Sequence, residues 1–150
     1  MLIRKAEVKD LKFIQELNNQ LFDLEIENYD PYLTKNWPLS DDGKDYFLNA
    51  IKENCVLVAE SENKVVGYLL AEEIDIPYYK FKLAELCNMC VNKQYRRQGI
   101  GEKLFLEFEK YFQDKGITHF TVTASFKNES AKSFYKKMGF VEANSSFVKF

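Results

Sequence analysis

From residue 91 to residue 104 the chain reads VNKQYRRQGIGEKL, placing Arg96, Arg97, Gly99 and Gly101 directly ahead of a strongly patterned helical stretch. The first N–H groups of a helix have no internal partners and point outward at the positive end of the dipole, which makes such a start an anion site by construction. Gly99 and Gly101 remove side chains so that a phosphate can approach the backbone, while the two arginines add charge around it. A phosphate-bearing ligand is the direct inference, and a positively charged helix start with packing glycines is the plainer alternative. The motif also excludes ligands. Leu104 is the third residue after Gly101, so G-x-G-x-x-G fails, and no G-K-[S/T] is present, so neither a dinucleotide fold nor a P-loop is supported.

Cys87 and Cys90 form CNMC, a spacing that invites metal or redox chemistry. The run AELCNMCV reads as a strand, however, and positions three apart on a strand face opposite sides. No second cysteine pair exists and His119 is the sole histidine, so the usual four-ligand zinc site cannot be assembled and no metal is expected. Buried reduced thiols are the expectation.

The elements that must position these residues follow from periodicity and turn signals. LIRKA (2–6) is a strand, followed by a helix from Val8 to Glu25 with Leu11, Ile14, Leu17 and Leu21 at helical spacing and a weak cap at Glu7. Residues 28–42 form a long ordered loop, too aromatic for a linker. A second helix over 40–54 is capped by Ser40 or Asp41, and strands at 55–61 and 64–74 are joined by a tight turn at EN. A strand at 83–91, a helix from Gly99 to Lys115 and a strand at 118–125 form a β-α-β unit, hence a parallel pair. A helix over 128–138 capped by Asn128 precedes two short closing strands in GFVEANSSFVKF. The fold class is α/β (α+β): a mixed, largely antiparallel sheet with one parallel β-α-β unit, flanked by helices, in a single domain of 150 residues.

Two motifs in this order and spacing, R-x-x-G-x-G at Arg96–Gly101 and N-x-x-A-x-x-F-Y-x-x-x-G-F at Asn128–Phe140, resemble the acetyl-CoA-binding core of the GNAT superfamily of N-acetyltransferases. The opening IRKAEVKDL is similar to the family's first strand and helix start, with Glu7 where Thr is common, so the resemblance covers nearly the whole chain. It implies acetyl-CoA as co-substrate, its pyrophosphate held by backbone N–H groups of Arg96, Arg97, Gln98, Gly99, Ile100, Gly101 and Glu102. It also implies a pantetheine arm along the strand edge at Met89, Cys90 and Val91 and bonded by Asn128, which is compatible with Asn128 as a helix cap. Tyr135 matches the tyrosine that such enzymes place near the sulfur, where a phenol can hydrogen-bond the departing thiolate; packing beside Phe134 and Met138 is its other reading. Glu85 matches one placement of the family's glutamate base, acting through a water, while other members use the position held here by Cys87. In the strand over 83–91 Glu85 shares a face with Cys87, Met89 and Val91. A solvent-facing strand residue is the equal alternative.

Charge is distributed unevenly although the net value is only −2. Residues 23–45 hold seven acids against two lysines, and residues 93–137 hold ten Lys or Arg against five acids. The acidic segment carries Tyr29, Tyr32, Trp37 and Asp41, a combination suited to a cationic amine. The expected reaction is transfer of an acetyl group to a primary amine, either a small amine or polyamine or a protein lysine or N-terminal amine, by direct attack in a ternary complex. A non-catalytic acyl-CoA-binding regulatory module is the alternative. Nucleic acid is not an expected partner, since an acidic acceptor side repels phosphate. No apolar run reaches the length of a membrane span and the N-terminus carries charge where an export signal is apolar, so a soluble cytoplasmic protein is expected. Exposed terminal strands make a homodimer reasonable.

Overall fold

The computed structural model of the protein describes residues 1–53 and 56–150. Strand β1 (Leu2–Lys5) leads through a short 3-10 turn into helix α1 (Leu11–Asn28), and helix α2 (Asp41–Lys52) follows the aromatic loop. Strands β2 (Val56–Ser61), β3 (Lys64–Ile74) and β4 (Leu83–Val91) precede helix α3 (Ile100–Gln113), strand β5 (His119–Val122) and helix α4 (Glu129–Lys137). The five strands form one sheet in the order β1-β2-β3-β4-β5, with every pair antiparallel except β4 and β5. The expected mixed sheet with a single parallel pair is therefore present. The second helix was expected to reach 54 and the next strand to begin at 55, and both of those positions lie outside the described residues.

The sheet separates two apolar layers. On one side Ile14 and Leu17 of α1 and Phe47 and Ile51 of α2 pack against Val56, Val58, Tyr68 and Leu70. On the other, Ile100, Leu104, Phe105, Phe108 and Phe112 of α3 cover Leu69, Ala71, Ala84 and Leu86. The i, i+4 spacing of Ile100, Leu104, Phe108 and Phe112 is the amphipathic stripe of a helix laid on a sheet. Each layer removes large aliphatic and aromatic surfaces from water, the main favourable term in folding. Among the described residues no helix is long and apolar enough to cross a membrane.

Two local devices fix α1 and α2 against the sheet. Asp10, 2% exposed, accepts two hydrogen bonds from Arg4 of β1 at 2.8 and 3.0 Å and one from the Glu7 N–H, and Arg4 also reaches Glu60 of β2 at 2.8 Å. Burial alone would raise the Asp10 carboxyl, but the bonds from Arg4 outweigh it and hold the group below its ordinary range. At α2, Ser40 Oγ accepts from the Gly43 N–H and donates to the Trp37 carbonyl at 2.6 Å. The backbone of Trp37 and Pro38 lies so close over Gly43 that a Cβ there would stand 2.4 Å from the Trp37 oxygen, so only glycine admits this contact.

Three expectations are corrected. The first helix begins as a 3-10 turn at Val8–Asp10 and runs past Glu25 to Asn28. The strand expected over 118–125 ends at Val122, and the two closing strands are absent: residues 140–150 form neither strand nor helix. A hairpin of such short strands is marginal without an edge to join. Val141, Phe147, Val148 and Phe150 stay exposed, and the Phe150 ring instead stacks on Tyr32 at 4.3 Å between centroids.

Candidate active site

Strands β4 and β5 pair only from Leu83↔His119 to Leu86↔Val122. Beyond that point they part. On its other edge β4 pairs Leu86 with Ala71 of β3 and then Asn88 with Leu70, leaving Cys87 as an extra residue in a β-bulge. A bulge resets the alternation of side chains and bends the strand, and bulges are frequent beside active sites. The reset overturns two expectations. Cys90 and Cys87 both face the α1/α2 layer, whereas Met89 and Val91 face α3. Glu85 therefore shares its side with Cys87 but not with Met89 and Val91. Cys90 is buried, Cys87 is half-buried, and both are free thiols.

The gap between the strands opens into a cavity of about 420 Å³. Cys87, Asn88 and Met89 of β4, Val122 at the end of β5 and residues 123–125 after it form its floor. Asn128, Ala131 and Tyr135 of α4 form one wall, and Asn18, Leu21, Phe22 and Glu25 of α1 form another. Leu33, Trp37, Tyr46 and Phe47 close it. The four α1 residues lie at i, i+3, i+4 and i+7, one face of the helix. Phe22 and Trp37 stack with centroids 6.0 Å apart. Asn128 also caps α4, its Oδ1 accepting from the Ala131 N–H at 3.0 Å.

Burial, with the nearby Glu25 carboxylate, pushes the Tyr135 phenol up to about 12, so at neutral pH it is a hydrogen-bond donor that keeps its proton. Burial and then Asp30 raise Glu25 above the usual carboxylate range. Tyr46 is pushed up to about 12 by burial and then by Cys87 and Glu72, against a hydrogen bond from Asn88 that acts the other way. A proton donor thus stands on one wall and a carboxyl group on the other.

The segment expected to bind phosphate sits at the end of the same gap. Arg97 and Gly99 hold left-handed backbone (φ 62° and 77°), and α3 starts immediately afterwards, leaving the N–H groups of Ile100, Gly101 and Glu102 without partners in the helix. Arg96 Nε donates to the Val91 carbonyl at 3.0 Å, which ties this turn to the end of β4. A Cβ on Gly99 would meet nothing within 4 Å, so that side of the turn is open, and Gly101 lies against Phe134 and the Met89 methyl. Lys137 of α4 pairs with Glu102 at 3.0 Å.

Of the residues singled out in the sequence, Met89, Asn128, Tyr135 and Trp37 meet at the cavity. Glu85 does not line it. Its carboxylate lies with that of Glu72, its cross-strand partner on β3, and the Cys87 thiol in a group whose ligand atoms are all within 4.8 Å of one another, beside the cavity floor. Tyr29, Tyr32 and Asp41 do not line it either: Tyr32 is exposed against Phe150, and Asp41 occupies the first turn of α2, where acids complement the helix dipole. Sequence reasoning missed Asn18, Phe22, Glu25, Tyr46, Cys87 and Asn88 as wall residues. Asn18 carried a usable signal, since it is a polar residue between Leu17 and Leu21 on the apolar stripe of α1.

A mixed sheet splayed beside a glycine-loosened helix start is an acetyltransferase architecture, and solved structures share it. The BH1408 protein from Bacillus halodurans superposes with a TM-score of 0.88 at 22% identity, covering 99% of both chains. An aminoglycoside acetyltransferase, meta-AAC0020, from an uncultured soil metagenomic sample gives 0.76 at 26% identity over 99% of this chain and 94% of that one. A predicted acetyltransferase with acetyl-CoA from Clostridium acetobutylicum gives 0.78 at 20% identity over 99% and 95%. In sequence, N-acetyltransferase 8 of Homo sapiens is 33% identical over 109 residues, which is 73% of this chain and 47% of that protein. The chain spans about half the length of the curated relatives it matches. The sequence model of the Acetyltransferase (GNAT) family matches residues 18–140. The protein belongs to the GNAT acetyltransferase family.

Proposed function

We propose that the protein moves the acetyl group of acetyl-CoA to a primary amine within a ternary complex. The observation that carries this reading is the cavity in the β4/β5 gap, with the proton-bearing Tyr135 on one wall and the Glu25 carboxyl on the other. The residues present fit coenzyme A. Unpartnered N–H groups at the start of α3 and the open side of Gly99 suit a pyrophosphate, and the edge of β4 released by the splay suits an extended amide-bearing arm. In this reading Arg96, Arg97, Gln98, Gly99, Ile100, Gly101 and Glu102 cradle the phosphates, while Met89, Cys90 and Val91 offer backbone groups to the arm and Asn128 bonds it.

Bound acetyl-CoA supplies an acetyl carbon activated by a thiol leaving group. Glu25 pairs with the incoming ammonium, and Phe22 and Trp37 receive its carbon chain. Glu85, beside Cys87 at the cavity floor, takes the proton released from nitrogen through a water. Tyr135 gives a hydrogen bond, and then its proton, to the sulfur. The ammonium loses its first proton through that water to Glu85 before attack; as the C–N bond forms and the C–S bond breaks, the nitrogen gives its second proton to the Tyr135 oxygen that has passed its own to sulfur, so the products are the amide, the free thiol and one proton released from Glu85 to solvent.

The test is thiol release from acetyl-CoA in the presence of n-butylamine, 1,4-diaminobutane, a lysine-containing peptide and the aminoglycoside sisomicin. Amine-dependent release that falls in Glu85→Gln is expected. Absence of release with every amine, while coenzyme A binds, would overturn the reading.

A further inference from the structure

Asn18 is, with Asp10, one of two buried polar side chains among the described residues, and it lines the cavity. Its Nδ2 donates to Tyr68 Oη at 2.7 Å, and the Tyr68 hydroxyl donates to Asn88 Oδ1 at 2.6 Å. Asn18 Oδ1 has no hydrogen-bond partner among the described residues. A buried amide oxygen left unpaired is costly, and native interiors leave few of them.

A hydroxyl has one proton to give, while each amide offers a donor and an acceptor end. Asn88 Oδ1 faces Tyr68 and takes that residue's only proton. Tyr68 Oη, with its proton committed, must accept from Asn18 Nδ2. Asn18 Oδ1 is thereby held as an acceptor with no protein donor, on a residue that forms the cavity wall.

We propose that Asn18 Oδ1 binds an N–H of the acceptor amine, and that Tyr68 positions it; the inference rests on reading this cavity as the acceptor site. An amide oxygen only accepts. It therefore selects a nitrogen that retains one hydrogen to donate while another is lost, which favours primary amines over their N-methyl derivatives.

The experiment joins two readouts. The side-chain amide resonances of Asn18 are followed in nitrogen-15-labelled protein saturated with coenzyme A, where no turnover occurs, during titration with n-butylamine. Saturable movement is expected. Steady-state kinetics with acetyl-CoA then compare wild type, Asn18→Leu and Tyr68→Phe on n-butylamine and N-methylbutylamine. Asn18→Leu should raise the KM for n-butylamine roughly tenfold, leave the KM for acetyl-CoA unchanged and reduce the preference for the primary amine. Tyr68→Phe should shift the same constant in the same direction by less. Resonances that stay still at high amine, or an unchanged amine KM in a folded Asn18→Leu, overturn the assignment. Turnover without movement of Asn18 sinks this inference and leaves acetyl transfer standing. Saturable movement without turnover does the reverse, and neither movement nor turnover removes both.

Discussion

Replacing Tyr135 with Phe removes one oxygen from the cavity wall and tests the proposed proton donor directly. The magnitude follows from its environment. Burial and Glu25 put the phenol at about 12, so at pH 9 only about one molecule in a thousand is ionised, against about one in ten for a phenol at its ordinary value near ~10. Tyr135 therefore stays competent across the alkaline range in which an amine becomes a nucleophile. The wild-type kcat should rise as the amine deprotonates and show no fall up to pH 10.5. Tyr135→Phe should lower kcat about 100-fold or more, the usual range for a lost general acid, with little change in the KM for acetyl-CoA. Stopped release of thiol across pH 6–10.5 in both proteins supplies the profile. A wild-type kcat that falls with an apparent pKa near ~10, or a variant within about threefold of wild type, would refute the argument.

Three further outcomes follow from the same structure. Glu25→Gln should raise the amine KM roughly tenfold by removing a charged partner. It should also raise Tm at pH 7: a carboxyl whose folded pKa is raised binds more protons when folded, so its contribution falls as pH climbs above the unfolded value, and thermal melts should show a gain at pH 7 that shrinks toward zero at pH 4. Arg4→Met strands the buried Asp10 carboxylate and should cost about 2–4 kcal/mol by urea unfolding at pH 7. Because Asp10 is held below the ordinary carboxylate range, that stability is fully present above that range and lost on acidification through its folded value, so the gap between the two proteins should narrow as pH falls; a gap independent of pH would count against the pairing. Gly43→Ala pushes a methyl into the Trp37 and Pro38 backbone, and the expected result is a raised amine KM with an unchanged acetyl-CoA KM, read by the same thiol assay.

The elements were legible where one physical signal dominated. The stripe Ile100, Leu104, Phe108, Phe112 can be read from spacing alone, and the glycine pattern ahead of it announces an exposed helix start. The hairpin of β2 and β3 was legible from its short polar turn at Glu62 and Asn63, both in left-handed conformation. The closing strands failed because Val141 and Phe147 signal strand locally, whereas pairing needs an edge at the right distance. The bulge at Cys87 was invisible for a similar reason. An extra residue in one strand is defined only by its partner's register, so Glu85 was assigned to the wrong company by a rule that holds only on an unbroken strand.

That single insertion connects the sequence to the chemistry. With strict alternation from Leu86, Asn88 would turn to the α3 side and could not accept from Tyr68 on the α1/α2 side. The polar chain to Asn18 would be broken, and the buried Tyr68 hydroxyl would need another partner. The bulge also lies where β4 and β5 separate, so the cavity floor and the wall's hydrogen-bond polarity have a common structural origin. Deleting Cys87 leaves Asn88 on the α1/α2 side but removes the bend at the cavity floor, so it should weaken coenzyme A binding in a calorimetric titration, whereas Cys87→Ser, which keeps the bulge, should leave the backbone register and the affinity for coenzyme A intact.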